Sequence, residues 1–287
     1  MSEGQSKPRP RREVPPTTAE ADRPDPSIFA LPTTVVSHGR WTRTDLHFKG
    51  RHSSGYWAKD DEGRLAVWKP GLKRPHGSTE AFREFVCSVT AEWLGVNVPL
   101  ILLQEHPDLG PCSVCPHVVG TALQYVDIML LPTFPDLRTS AKTALVDYIG
   151  RTIVLDVLVG AEDRGNDRNH IFVEETREWH SLDYGLSFNA GEAERGVGDP
   201  GQPYVYNYLS DIRDAARLCR SVISATIKMA AHIPPTRFEE LVRLPPQPFA
   251  SAQERRETAA FLVNRQSRLE EIVEQWWFVL GLPGAKQ

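Results

Sequence analysis

The spacing of apolar residues changes period partway along this chain, and that change restricts the fold more than any single motif. In the first half, short aromatic and β-branched runs alternate with turn residues. Trp41 to Phe48 is one such run, and Lys49-Gly50-Arg51-His52-Ser53-Ser54-Gly55 is rich in breakers. Tyr56-Trp57-Ala58 and Leu65-Ala66-Val67-Trp68 then flank a second turn, Asp60-Asp61-Glu62-Gly63. Such alternation predicts consecutive hairpins. A helix should follow, because Ser78-Thr79-Glu80 offers an N-cap and an acidic first turn. Phe82, Phe85, Val86, Val89 and Leu94 recur at helical spacing, and Gly95 is a stop signal. Val98 to Leu103 and Val118 to Val126 read as two further strands.

The second half is mainly helical. Leu145, Ile149, Ile153, Leu155 and Val157 predict a largely buried helix over Ala141 to Val159. Two short strands, His170–Val173 and Trp179–Leu182, follow a polar loop. Helical patterns cover 208–231 and 252–280, with proline-rich connections near 234 and 245–248. A small sheet with one helix, then a helical body, implies an α+β architecture with a cleft between two lobes. The expected division is a disordered N-terminal tail (residues 1–28), an N-lobe (29–127) and a C-lobe (128–287). The tail is assigned on its Pro, Ser, Thr and charge content, which cannot offset the entropy of ordering it.

Composition excludes several functions. The chain has 287 residues and a net charge of −4, which offers no basic excess for nucleic acid. No apolar run approaches the ~20 residues of a membrane span, and the N-terminus has no signal-peptide core, so a cytoplasmic protein is expected. The oligomeric state is left open. The four cysteines are too few for a disulfide framework in a chain of this length. Prolines bracket Cys112-Ser-Val-Cys115, so the pair reads as two reduced thiols beside a turn rather than a zinc or redox site.

The residue types with chemical potential fall in a consistent order. Gly50, Ser53, Ser54 and Gly55 lie between two strands, where backbone N–H groups could approach an anion without a Cβ in the way. Lys69 ends a strand at Pro70 and could project into the cleft as a point charge for phosphate. Glu84 on the following helix is a possible ion-pair partner, with Glu80 one turn earlier as the alternative. After the buried helix comes Glu162-Asp163-Arg164-Gly165-Asn166-Asp167-Arg168-Asn169, a loop of acids, arginines and amides. Twenty residues beyond Asp163, across one tight hairpin, Asp183 sits in Leu182-Asp183-Tyr184-Gly185. Both carboxylates could therefore face one cleft. These are the parts phosphoryl transfer requires: a phosphate-covering loop, a cation, a carboxylate for the hydroxyl nucleophile, and oxygen ligands for magnesium.

The chain resembles the atypical kinases that include the phosphatidylinositol 3- and 4-kinases and the bacterial HipA-like toxin kinases. Asp163-Arg164-Gly165-Asn166-Asp167 resembles the Asp-Arg-Gly-x-Asp run of type II phosphatidylinositol 4-kinases. Leu182-Asp183-Tyr184-Gly185 is similar to the metal-binding Asp-x-Gly turn. Val67-Trp68-Lys69-Pro70 and the run from Glu84 to Gly95-Val-Asn-Val-Pro99 resemble the lysine strand and Glu-bearing helix of HipA-like proteins. Gln124-Tyr125-Val126-Asp127 resembles the hinge that borders adenine. Together these cover about residues 47–190.

The resemblance implies a bilobal protein-kinase-like fold that uses ATP and Mg²⁺. It makes Asp163 the catalytic carboxylate, supported by Arg164, with Lys69 on the phosphates and paired to Glu84. It assigns Asn169 and Asp183 to magnesium. Gly50, Ser53, Ser54 and Gly55 would cover the phosphates, and Gln124, Tyr125, Val126 and Asp127 would border adenine. One departure stands out. The family's metal-binding Asn usually follows the catalytic Asp by five residues, where this chain has Arg168, and Asn169 comes one residue later. Arginine has no acceptor for Mg²⁺, so the loop must bulge to present Asn169, or Asn166 or Asp167 must substitute. The acceptor is expected to be a Ser/Thr hydroxyl on a protein or a small-molecule alcohol. A pseudokinase used for nucleotide binding or scaffolding, and a nucleotidyl transferase, are the alternatives.

Overall fold

The computed structural model describes residues 25–37, 41–49, 54–70, 79–106, 110–124, 128, 135–161, 164, 167–188 and 215–279. Five strands build the first sheet: β1 (Thr42–Lys49), β2 (Ser54–Lys59), β3 (Leu65–Pro70), β4 (Leu102–His106) and β5 (Gly110–Pro116). Their order is β1-β2-β3-β5-β4, and every neighbouring pair is antiparallel. The β2–β3 turn is closed by Asp60, whose carboxylate accepts from the backbone N–H groups of Glu62 (3.0 Å) and Arg64 (2.7 Å).

Helix α1 (Thr79–Trp93) packs on this sheet through Phe82, Phe85, Val86 and Val89, all fully or almost fully buried. Its end follows from Gly95, which takes φ +64. Val96 N–H bonds to Ala91 O (2.9 Å) and Gly95 N–H to Glu92 O (3.0 Å), the paired closure of a Schellman cap. The segment ahead of the sheet straps this helix down. Pro26–Phe29 forms a 3-10 turn that spans the end of the stretch assigned to the tail, Phe29 packs edge-on against Trp93, and the Trp93 indole N–H donates to Ala30 O at 2.9 Å. Beyond it, Val35 and Ser37 exchange backbone hydrogen bonds with Leu103 of β4.

A three-stranded sheet, β6 (Ala122–Leu123), β7 (His170–Val173) and β8 (Glu178–Ser181), lies beside helix α2 (Pro135–Val159). Residues 152–159 of α2 are buried without interruption. Helices α3 (Ala215–Ala231), α4 (Pro235–Arg243), α5 (Ala252–Ser267) and α6 (Leu269–Val279) complete the helical body. Trp93 of α1 reaches Phe238 of α4 with ring centroids 5.9 Å apart, so one core runs from the sheet lobe into the helical lobe.

The structure corrects several expectations. Strands were expected at 98–103 and 118–126, with the two cysteines beside a turn. Instead Cys112 and Cys115 lie in β5, between β3 and β4, while β4 starts only at Leu102 and β6 covers two residues. Pro99 cannot donate to a ladder, which keeps residues 98–101 out of it. The prolines of β5 stand only near its ends, so its interior N–H groups can pair. Cys112 and Cys115 are three apart along a strand and face opposite sides, and neither is disulfide-bonded among the described residues. The helix expected at 141–159 begins at Pro135, and α4 falls where only connections were read. The pattern over 252–280 divides at Arg268, whose φ of −117° and ψ of 9° break the run. In the 208–231 pattern the described helix spans Ala215–Ala231, and residues 208–214 lie outside the described residues.

Candidate active site

Lys69 comes from the end of β3, Glu84 from the second turn of α1, and Asp183 from the turn after β8; the structure brings all three together. Lys69 Nζ lies 2.6 Å from Glu84 Oε1 and 3.1 Å from Asp183 Oδ1. Their side chains are 14, 4 and 40% exposed, so the carboxylate that faces solvent is Asp183. The second oxygen of Glu84 accepts from the hydroxyl of Ser113 on β5 at 2.5 Å. Both oxygens of this buried carboxylate therefore meet donors, which is what a buried charge requires. Glu80, the alternative partner, packs its aliphatic stem beside Gly185 instead.

Burial alone would push Lys69 down, but the carboxylates of Glu84 and Asp183 override it and hold the ammonium charged well above its usual range. Lys69 in turn holds the Asp183 carboxyl below its ordinary value, against the opposing effect of burial. The three groups share a small recess with Pro99, Ile101 and Cys115. Burial pushes the Cys115 thiol up to about 12, which keeps it protonated beside them.

The turn at Asp183 is fixed from several sides. Ser181 N–H donates to Asn97 O (2.8 Å), and the Asn97 amide donates to Trp179 O (3.3 Å), which ties β8 to the segment leaving α1. Asp183 itself has φ +61, a left-handed conformation uncommon for a residue with a Cβ. Leu182 N–H donates to Asn169 O at 2.8 Å, so Asn169 lies beside the chain that delivers Asp183. Asp167–Asn169 forms a 3-10 turn in which Arg168 is exposed and Asn169 buried. The turn thus orients residue 169 inward and residue 168 outward.

Arg164 is 1% exposed. Its guanidinium donates to Leu182 O at 2.8 Å, to Asp183 O at 3.4 Å and to the Ser181 hydroxyl, and it lies 3.4 Å from the Asp156 carboxylate. Asp156 belongs to the buried end of α2. There Gly160 at φ +57 and Ala161 close a second Schellman cap, with Ala161 N–H on Asp156 O (2.9 Å) and Gly160 N–H on Val157 O (3.3 Å). This cap turns the chain back, so that Arg164 returns over its own helix.

Below Arg164 sits His170. Its Nε2 lies 3.3 Å from Arg164 O, and its Nδ1 lies 2.5 Å from the Tyr148 hydroxyl. A carbonyl can only accept, so Nε2 carries the proton and the tyrosine donates to Nδ1. Burial, reinforced by the Arg164 charge, holds His170 well below an ordinary imidazole. The unfolded chain, with a histidine pKa of about 6.5, takes up a proton that native His170 refuses. Stability should accordingly fall as pH drops below about 6.5, by up to ~1.4 kcal/mol per pH unit for this group. Half-buried His180 is lowered in the same direction by burial. Urea unfolding of the wild type and His170→Gln between about pH 7 and 5 checks this; the variant should show the shallower acid loss, and equal slopes would exclude His170 as a source.

Several residues named from the sequence lie outside the described residues: Asp163, Gly50, Ser53, Tyr125, Val126 and Asp127, as does Asn166. Ser54 opens β2 opposite Lys49, and Gly55 is buried opposite Phe48. Gln124 is half-buried just after β6. Ser113, Asp156, Ser181, Tyr148 and His170 carry no sequence signal as site residues. The nearest to one is Asp156, a lone carboxylate in the apolar run Ile153-Val-Leu-Asp-Val-Leu-Val159. Asp183 and Asn169 offer carboxylate and amide oxygens, the hard ligands magnesium takes, and Lys69, Glu84 and Asp183 together leave one net negative charge, so the residues present fit a divalent cation. No group of three or more His, Cys, Asp or Glu among the described residues could hold a metal by itself.

A sheet lobe carrying a Lys–Glu pair, joined to a helical lobe that supplies an aspartate turn, defines a bilobal protein-kinase-like fold. Solved structures agree. The chain is similar to the Helicobacter pylori proinflammatory kinase CtkA, with a TM-score of 0.58 at 15% identity over 87% of this chain and 100% of that one. It is also similar to CtTel1 in its open conformation, with a TM-score of 0.55 at 12% identity over 85% of this chain but 12% of that much longer one. The FAT and kinase domain of CtTel1 gives a TM-score of 0.52 at 13% identity, over 85% of this chain and 22% of that one. No protein-family model matches the chain, and no curated protein matches it in sequence. No helix among the described residues is long and apolar enough to cross a membrane.

Proposed function

We propose that this chain is an ATP-dependent phosphotransferase of the phosphatidylinositol 3-/4-kinase-like and HipA-like type, acting in the cytoplasm. Residues 29–127 form the lobe that holds the nucleotide, and residues 128–287 the lobe that supplies the catalytic and metal-binding loops. One observation carries this reading. Lys69 is held between a buried carboxylate that fixes its position, Glu84, and an exposed one available to a cation, Asp183. The kinase fold of CtkA, matched over its whole length, supports it.

In this reading Lys69 donates to the α- or β-phosphate, with Glu84 keeping its stem in place. Asp163 orients the acceptor hydroxyl and takes its proton as the new O–P bond forms and the bond between the γ-phosphorus and the ADP oxygen breaks. Asp183 and Asn169 would hold magnesium, which would supply positive charge to offset that of the phosphates. Gly50, Ser53, Ser54 and Gly55 cover the phosphates, and residues 124–127 border adenine. The acceptor is a Ser/Thr side chain or a small-molecule alcohol. The choice of Asn169 over Arg168 is supported by the turn, which buries Asn169 beside the Asp183 segment and leaves Arg168 exposed.

The test is a transfer assay with Mg²⁺ and ATP labelled at either the α- or γ-phosphate. Label from the γ-position should reach protein or added alcohol, and Asp163→Ala and Asp183→Ala should abolish it. Incorporation of α-label would replace this reading with nucleotidyl transfer. ATP binding without turnover across a broad set of acceptors would favour a pseudokinase.

A further inference from the structure

Beneath the turn that presents Asp183 lies a closed set of polar side chains: Asp156 (2% exposed), Arg164 (1%), Ser181 (0%) and Tyr184 (2%). The Tyr184 hydroxyl donates to Asp156 Oδ1 at 3.0 Å and lies 2.9 Å from the Ser181 hydroxyl. The Arg164 guanidinium stacks over the Tyr184 ring, 4.4 Å from its centroid. Its remaining donors spread across Ser181, Leu182 O and Asp183 O. Four consecutive residues, 181 to 184, are therefore gripped from one side, and the residue at the centre of the grip is the one at φ +61.

A buried ion pair of this kind adds little net stability over an apolar filling of the same volume. What it supplies is direction. The planar fork of arginine fixes several acceptors at once, and a left-handed non-glycine residue persists only where its surroundings over-determine it. Asp156 orients the fork, and Tyr184 ties the far side of the turn to the same carboxylate.

We propose that Asp156 and Tyr184 are positioning residues for the metal-binding carboxylate, acting through Arg164 to hold Asp183 in the one backbone conformation from which it faces both Lys69 and a divalent cation. The inference rests on the reading of Asp183 as a metal ligand given above. Asp156 is not among the residues that line the recess at Lys69, Glu84 and Asp183, and Tyr184, which borders it, commits its hydroxyl to Asp156 and Ser181.

Asp156→Asn keeps the shape and the acceptor for Tyr184 while removing the charge that orients Arg164. Tyr184→Phe removes the hydroxyl and keeps the ring. The probe is Mn²⁺ bound to the full chain in the presence of ADP, with free Mn²⁺ counted by electron paramagnetic resonance. Each variant should weaken Mn²⁺ binding by about 10–100-fold, the usual effect of losing an outer-sphere support. ADP affinity without metal should hardly change, and in an Asp183→Asn background neither variant should weaken Mn²⁺ further. If Asp156→Asn fails to fold, Tyr184→Phe decides alone. Unchanged Mn²⁺ affinity in the folded variants, with only a lowered melting temperature, would overturn the positioning role while leaving the phosphotransferase reading intact. A wild type that binds ADP but no Mn²⁺ would overturn both.

Discussion

Asp156→Ala should lower the free energy of unfolding by about 3–5 kcal/mol, the cost of leaving one member of a buried ion pair without its partner. Arg164 cannot shed its proton to escape, and at 1% exposure water does not reach it. Alanine also removes the acceptor of the Tyr184 hydroxyl. Against a total stability of about 5–15 kcal/mol for a typical domain, the loss would leave the chain marginal. Urea titration measures it, with an unchanged slope showing that the unfolded state is the same. The control is Asp147→Ala, which breaks a shorter Arg–Asp pair, Arg151 Nε to Asp147 Oδ2 at 2.8 Å, that lies toward the surface. There the expected change is below about 1 kcal/mol. Equal effects at the two positions would mean that burial is not what makes the Asp156 pair matter.

The second large effect is on chemistry. Lys69→Ala should reduce kcat/KM for ATP by about 10²–10³-fold, the usual loss when a preorganised donor to developing charge is removed from a water-poor site. Glu84→Gln should cost less, because Lys69 keeps its charge and its contact with Asp183. The ordering distinguishes a lysine that acts on the nucleotide from one that only balances a buried carboxylate. If Lys69 were merely structural, the two substitutions would have similar effects, and both would track the loss of folded protein. In Lys69→Ala, Glu84 would face Ser113 and little else, and a carboxylate so placed takes up a proton rather than stay bare. Steady-state kinetics alongside melting curves separates these cases.

The two lobes were legible from periodicity because their cores follow it. Phe82, Phe85, Val86 and Val89 bury one face of α1, so the helix and the position of Glu84 on it could be read directly. Strand β5 was not legible. Its Pro-Cys-Ser-Val-Cys-Pro sequence carries little strand propensity and two apparent breakers, and it is a strand because β3 and β4 supply partners on both sides. Helix α4 was hidden for a similar reason: Pro234, Pro235, Pro245 and Pro246 suggested connections, yet Pro235 occupies the first helical turn, where proline's missing N–H is not needed.

For the site, the short motifs around Lys69, Glu84 and Asp183 stood out because charge at a strand end or turn is conspicuous in sequence. Their support did not. Asp156 looks like an odd polar residue in a buried helix until the Gly160 cap folds Arg164 back onto it. Nothing in the order of residues indicates that Tyr148 and His170 meet. The irregular spacing of Arg168 and Asn169 was visible, but which of them faces inward is decided by the 3-10 turn.

The central claim is that Lys69, Glu84 and Asp183 form a nucleotide–metal site, and calorimetric titration of a non-hydrolysable ATP analogue tests it most directly. Wild type and Asp183→Asn are each titrated with and without Mg²⁺. The wild type should bind at a single saturable site, more tightly with Mg²⁺, and Asp183→Asn should bind with the Mg²⁺ enhancement gone. No binding by the wild type, or the same enhancement in both proteins, would contradict the account.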